Sequence, residues 1–333
     1  LSVTVAAVAP DSGFGRFSLQ ANQVPPFNAF VPLRELQKAL GAEGKANLLL
    51  LGGADSAVDA ARAMEALRKR WQLADAGLEM REIPALGEKP PFEWLELRSP
   101  RVFLDPPAAK AALAAAPGAI GVLTYFVNEL RAGQRTTPYS MVAATDAPPS
   151  SADLGADGMV INEWLAQDLG AASGDSLAVA YYVMGPLRKL EERTHVFRVS
   201  RITPLVDRPA ARALMPDFPG LANAKDCRDW DPGFKIDTGR IREKDQKYWE
   251  DYRGTPKAYI SLHAGQELWR NRFGEYTAVR YPWSDGLKTS VEAAILKGLS
   301  PAEVGLVFQP VRAQALAAST QSMDFGGLFI GFS

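Results

Sequence analysis

Residues 226–234, Asp-Cys-Arg-Asp-Trp-Asp-Pro-Gly-Phe, are the most unusual local composition in the chain, and the carboxylates of Asp229 and Asp231 suggest a calcium loop. The spacing fails. Counting from Asp229, the fifth place is Gly233 and the twelfth is Arg240, where the ion needs an oxygen ligand and a bidentate Glu. Residues 226–253 hold acids and bases in near balance, with Trp230, Tyr248, Trp249 and Tyr252 between them. Two readings are open: a solvated segment that packs its rings inward, or a protein-contact surface of Asp229, Trp230, Asp231, Trp249 and Tyr252, since Trp, Tyr and Arg dominate binding hot spots. Cys227 reads as a small buried hydrophobe or a free thiol, with nothing to make it a nucleophile.

Other chemistries lack their residues. The pair Gly44-Lys45 has neither the leading Gly nor the hydroxyl of a phosphate loop, so ATP hydrolysis is not expected. Gly13-Phe-Gly15 follows a strand-like run but no helix start follows it, which argues against a dinucleotide site. Leu51-Gly-Gly-Ala54 precedes a helix and could face an anion, but a strand-turn-helix corner explains it without a ligand and is the reading preferred. His195 and His263 belong to no zinc motif, and no G-x-S-x-G elbow occurs. No catalytic residue, metal or cofactor is expected.

The 333 residues carry 37 Lys+Arg against 38 Asp+Glu, a net charge of -1, which argues against a dedicated nucleic-acid binder. With 47% hydrophobic and 23% charged residues the composition is that of a folded protein with a sizeable core. A lone cysteine excludes an intrachain disulfide. The most apolar internal stretch, 111–127, is broken by Pro117-Gly118 and too short to span a membrane. The chain opens without a Met on an alternating apolar run, 1–8, and reads as a piece of something longer. Its last residues, 325–333, are uncharged and rich in aromatics and Gly, and read either as the first turns of a membrane helix or as a buried strand.

The elements that must position these residues recur. Sliding the chain on itself by 229 positions matches Ala29-Phe-Val-Pro-Leu33 to Ala258-Tyr-Ile-Ser-Leu262 and Gln37 to Gln266, and one residue of slip then aligns 44–48 with 274–278. A strand precedes each copy, 3–8 and 196–202, and a helix follows each. The first helix is expected over 57–71, with Ala60, Met64, Leu67 and Trp71 on one face and Ser56 and Asp59 as a capping box. The second carries Leu287, Val291, Ile295 and Leu299. The second copy also predicts a strand at 93–104, an Ala-rich helix at 106–116 and a strand at 119–127, a β-α-β element. After a Pro-Pro-Ser-Ser linker come a strand at 159–161, a helix at 162–169 closed by Gly170, and strands at 177–184 and 194–202. A long excursion over 204–255 follows before Tyr259 resumes the pattern.

The run Met159-Val-Ile-Asn-Glu-Trp-Leu-Ala-Gln-Asp-Leu-Gly170, then Ser173-Gly-Asp-Ser-Leu177, Val196-Phe-Arg-Val-Ser-Arg-Ile202, and Ala258-Tyr-Ile-Ser-Leu262 with Gln266, resembles the extracytoplasmic (periplasmic core) domain of FtsX-like, MacB-type ABC transporter permeases. The resemblance covers about residues 95–333, and 1–72 look like the closing part of another copy. It implies an α+β fold: a β-α-β porter-like layer from 76–150 and 274–311, an inserted mixed α/β, Sabre-like subdomain at 151–273, a truncated first copy at 1–75, and the start of a membrane helix at 324–333. It implies as partners membrane helices of the same polypeptide, a separate ATP-binding subunit, and an envelope protein or exported substrate, at the periplasmic face of the cytoplasmic membrane. The domain would do no chemistry and would relay ATP-driven conformational change. The long 204–255 excursion departs from the family's compact pattern, so no particular substrate carries over.

A free-standing solute- or protein-binding protein of the cell envelope is the alternative, and a hydrolase using scattered Ser, His263 and Asp comes third. A binding protein should hold an apolar pocket with convergent polar groups, a hydrolase a nucleophile within reach of a base, and a relay module neither.

Overall fold

The computed structural model describes residues 3–323 except 20–23, 25, 53–58, 88, 151, 186, 188 and 235. The chain forms two compact units, Trp71–Leu306 and Leu1–Arg70 with Val307–Ser333.

The larger unit is mixed α+β. Strands β1 (Glu79–Pro84) and β2 (Phe92–Arg98) form an antiparallel pair. Helix α3 (Pro106–Ala115) then leads to β3 (Ile120–Ala132). Two prolines open α3 where no backbone donor is needed, and its alanines Ala108, Ala109, Ala111 and Ala112 are buried. β3 turns through Gly133 into β4 (Arg135–Thr145). Next come β5 (Gly158–Asn162), α4 (Glu163–Leu169), β6 (Ser176–Met184) and β7 (Leu190–Thr203). The excursion holds α5 (Pro209–Arg212) and α6 (Glu243–Tyr252). Strand β8 (Ala258–Ile260), α7 (Leu262–Trp269), β9 (Ala278–Pro282) and α8 (Leu287–Gly298) close the unit.

The strand order is β1-β2-β9-β3-β4-β8-β5-β7-β6, and a further pairing of β6 with β3 closes the last six strands into a barrel. Because β9 is antiparallel to both β2 and β3, those two strands are parallel, and β2-α3-β3 is a β-α-β crossover with β9 threaded through it. Helices α3 and α8 pack together over this layer, and the Tyr281 hydroxyl donates to the Ala112 carbonyl at 2.7 Å. The barrel encloses Leu123, Val127, Leu130, Met159, Ile161, Leu177 and Phe197, with Leu165 of α4 and Trp269 of α7 in the same core. Trp269 stacks on Tyr125 with ring centroids 5.1 Å apart and planes 9° from parallel.

Most expected elements are present with shifted ends. β2 stops at Arg98 rather than 104, since 99–104 turn before α3, and β3 runs five residues beyond the expected 127. β4 was not expected: Pro138 interrupts its pattern, and Asn128 and Tyr139 drop out of the ladder, with Tyr139 at φ 39°.

The smaller unit carries α1 (Leu33–Ala39), α2 (Ala60–Arg68) and α9 (Val311–Met323). α1 begins at the place that the 229-residue shift assigns to Leu262, the start of α7. The expected strand at 3–8 is not formed: no strand occurs among the described residues of this unit, and Val3, Val5 and Val8 are exposed. α2 starts at Ala60, where the Asp59 side chain accepts from the Ala61 N–H at 2.9 Å. Ser56 and 325–333 lie outside the described residues. No helix among the described residues is long and apolar enough to cross a membrane.

Gly265 sets how closely α7 approaches the barrel, since a Cβ there would lie 2.2 Å from the Ala144 Cβ. Gly265→Ala should lower the unfolding free energy by about 1–3 kcal/mol, and Ala144→Gly in the same chain should recover part of that loss. Urea unfolding of the two single variants and the double variant checks it, and strict additivity would refute the contact.

Candidate functional site

The residues flagged by the sequence serve mostly to build the excursion. Asp226, Asp231 and Asp237 each accept from the backbone N–H two residues on, at Arg228, Gly233 and Gly239, so the acid-rich run is a series of Asx turns. Asp229 and Asp231 are exposed, Trp230 and Tyr252 half-buried, and Trp249 buried. Trp249 meets Trp230 edge-on at 5.0 Å and donates from its indole N–H to the Ala224 carbonyl at 3.1 Å. Both rings join Phe126, Met141, Met215 and Leu221 in a core that fastens the excursion to β3 and β4. Tyr252 packs on Tyr248 at 5.2 Å. Of the five candidate contact residues, therefore, only Asp229 and Asp231 stand clear of the interior. Cys227 lies in the same core, where burial pushes its thiol up to about 12.

The two histidines are apart. His195 on β7 lies 3.2 Å from Asp157 and against Phe197, and His263 is exposed on α7 with no hydrogen bond among the described residues. No group of three or more metal-binding side chains occurs among the described residues.

A chain of charges ties α6 to the barrel. Asp168, at the end of α4, is held by Lys244, by Arg242 at 2.6 Å and by the Thr137 hydroxyl at 2.5 Å. Burial pushes its carboxyl up, and these hydrogen bonds outweigh it and leave the pKa lowered. Arg242 also grips Asp245 at 2.7 Å, and Asp245 lies 3.8 Å from the ammonium of buried Lys257. That ammonium sits over the rings of Trp164 at 4.2 Å and Tyr248 at 4.7 Å. Asn162, the residue of the Asn-Glu-Trp motif, caps α4 through the Leu165 N–H at 2.8 Å and donates to the Tyr248 hydroxyl at 3.0 Å.

A second charge row was not anticipated. The registers of β1, β2, β9 and β3 place Arg81, Glu96, Arg280 and Ile120 side by side across the layer, on the face opposite Tyr281 and α3. Buried Glu96 accepts from Arg81 at 3.0 Å and from Arg280 at 2.6 Å, so one carboxylate serves two guanidinium groups. Arg280 also donates to the Ala210 carbonyl at 2.9 Å, while its buried Nη2 has no hydrogen-bond partner among the described residues. Arg98, two places along β2, pairs with Asp217. At the Arg280 end of this row lies a groove of about 410 Å3, walled by Trp94, Ile120 and Val122 of the sheet, by Leu205 and Leu214 of the excursion, and by Tyr259. Arg280, Arg208 and Glu93 are the charged residues lining it. The sequence carries a trace of this site: charged residues alternate with apolar ones in Trp-Leu-Glu-Leu-Arg at 94–98, which places the charges on the face opposite α3.

No family model matches this chain, and no curated protein matches it.

Burial lowers the Lys257 ammonium to about 8, against an ordinary 10.5. The unfolded chain therefore binds more protons than the folded one between these values, and stability gains from Lys257 as pH rises through that window. The Lys257→Met variant lacks this gain. The stability of the native chain relative to the variant should increase by about 3 kcal/mol from pH 8 to pH 10.5 in urea unfolding. A difference independent of pH over that range would show that the amine is solvated.

Proposed function

We propose that the chain is an extracytoplasmic module of an ABC transporter permease of the FtsX-like, MacB type, which relays ATP-driven conformational change to a substrate or protein outside the membrane. The observation that carries this reading is the split layer. The β2-α3-β3 crossover is followed by a β-rich insertion, and β9 and α8 then complete the layer, in the order that the sequence resemblance implies. The motif residues also fall at joints of that insertion. Asn162 links α4 to Tyr248 of α6, Gly174 turns the chain at φ 95° between α4 and β6, and Ala258–Ile260 lies between β4 and β5.

Under this reading the layer from 76–150 and 274–311 is porter-like, 151–273 is the Sabre-like insertion, and 1–75 is the closing part of another copy. Because β3 runs unbroken from the layer into the barrel, a displacement applied to the layer moves the barrel with it. Partners would be membrane helices of the same polypeptide, an ATP-binding subunit and an exported substrate or envelope protein, at the periplasmic face of the cytoplasmic membrane, with no chemistry in the module itself.

A second reading, a solute-binding protein of the envelope, is favoured by one observation. The groove over Arg280 combines apolar walls with convergent polar groups and falls within the usual size range of ligand pockets, about 300–1,000 Å3.

With the chromosomal copy tagged in its native gene, the transport reading expects the protein in membranes after carbonate washing, co-purifying in detergent with nucleotide hydrolysis. Complete release by carbonate, with no associated hydrolysis, would overturn it.

A further inference from the structure

We infer that the groove at Arg280 binds a small organic acid, its carboxylate taken by Arg280 and Tyr259 and its apolar body lying on Trp94, Ile120 and Val122. The ligand class rests on the solute-binding reading of the groove and narrows it.

Arg280 is 5% exposed and spends Nε on Glu96 and Nη1 on the Ala210 carbonyl. Its Nη2 is buried on a groove-lining side chain without a partner among the described residues, and a buried donor left unpaired is costly. It is closed to water, and a ligand oxygen would satisfy it once the side chain turns a little toward the groove. Charge balance points the same way, since Arg81 and Arg280 share the single carboxylate Glu96 and leave one positive charge beneath the groove. Among the lining residues Arg208 adds a second cation and Glu93 one anion.

Tyr259 supplies the other donor. It is 5% exposed, and its hydroxyl has no hydrogen-bond partner among the described residues. Burial pushes its pKa up, so the phenol keeps its proton at neutral pH and donates. Tyr259 and Arg280 line the same groove. Guanidinium and phenol together fit a carboxylate. The remaining wall is mostly apolar, with Thr145, Asn162, Thr203 and Thr255 as its polar members, which suits a monoanion carrying a hydrocarbon body better than a free phosphate.

Isothermal titration of the whole chain with hexanoate, octanoate and phenylacetate, each beside its own amide, and with inorganic phosphate, tests this. At least one acid should bind saturably, and its amide should bind about tenfold more weakly or worse. Tyr259→Phe removes only the hydroxyl and should weaken that acid by about three- to tenfold while leaving the amide unchanged. Arg280→Met should erase the preference for acid over amide, and circular dichroism reports whether it folds. If Arg280→Met does not fold, the isosteric Tyr259 variant alone decides. Equal binding of acid and amide would overturn the ligand class and leave a solute groove. No binding of acid or amide would remove both, and phosphate binding more tightly than every acid would reassign the site to inorganic anions.

Discussion

The larger unit depends on one strand serving two sheets. The start of β3, at 120–122, pairs with β9 and completes the layer, while Glu129–Arg131 pairs with β6 and closes the barrel. The same strand is bonded along its other edge to β4 from Val122 to Ala132. A strand has only two edges, so these partners must follow one another along β3, and its thirteen residues provide the length. The layer and the barrel therefore cannot pack independently. What would otherwise be two small sheets with open edges shares one continuous hydrogen-bonded surface, and the barrel half has no exposed edge to protect.

The excursion sits on this frame through charge as well as through rings. Its aromatic core against Phe126, Tyr139 and Met141 supplies apolar burial, but buried ions fix where it docks. Arg242 reaches Asp168 on α4 and the Thr136 carbonyl on β4, while Arg81 and Arg280 reach the Ala213 and Ala210 carbonyls of the segment around α5. Such pairs add little net stability after desolvation, yet a misplaced excursion would leave each charge buried and unpaired. Position is thus specified by the cost of error. The groove follows from the same arrangement, because a sheet face holding a row of charges cannot be sealed by an apolar segment.

Much of the layer was legible from sequence because its signals are local. Pro106-Pro107 and the alanine run mark α3, Asn162 and Gly170 mark the ends of α4, and Val291, Ile295 and Leu299 mark the buried stripe of α8. β4 escaped because Pro138 and the left-handed Tyr139 break its alternation, and a strand between two partners tolerates this only through pairing that the local sequence does not encode. The contact surface proposed from Trp230 and Trp249 was half legible for a similar reason. Composition shows that rings and charges alternate, but not that Trp249 turns inward onto Met141 and Leu221, residues far away in the chain. The Arg81-Glu96-Arg280 row needed two strand registers, and no window of sequence contains them.

The repeat expected from the sequence separates the two kinds of information. Shifted by 229 positions, α7 and α1 begin together, although their sequences share few identities. A helix closes its hydrogen bonds within four residues and so recurs wherever its pattern recurs. The strands do not recur. Ala258–Ile260 is held between β4 and β5 and is buried, whereas Phe30 in the matching segment is 64% exposed. Leu48, Leu49, Leu50 and Leu51, which precede α2 as β9 precedes α8, are likewise exposed at 59%, 68%, 65% and 47%. An apolar run of this kind is a strand only in the presence of a partner edge, so the same sequence pattern yields a central strand in one unit and chain outside any strand in the other. The pattern specifies what a segment can become; the partner edge decides whether it does.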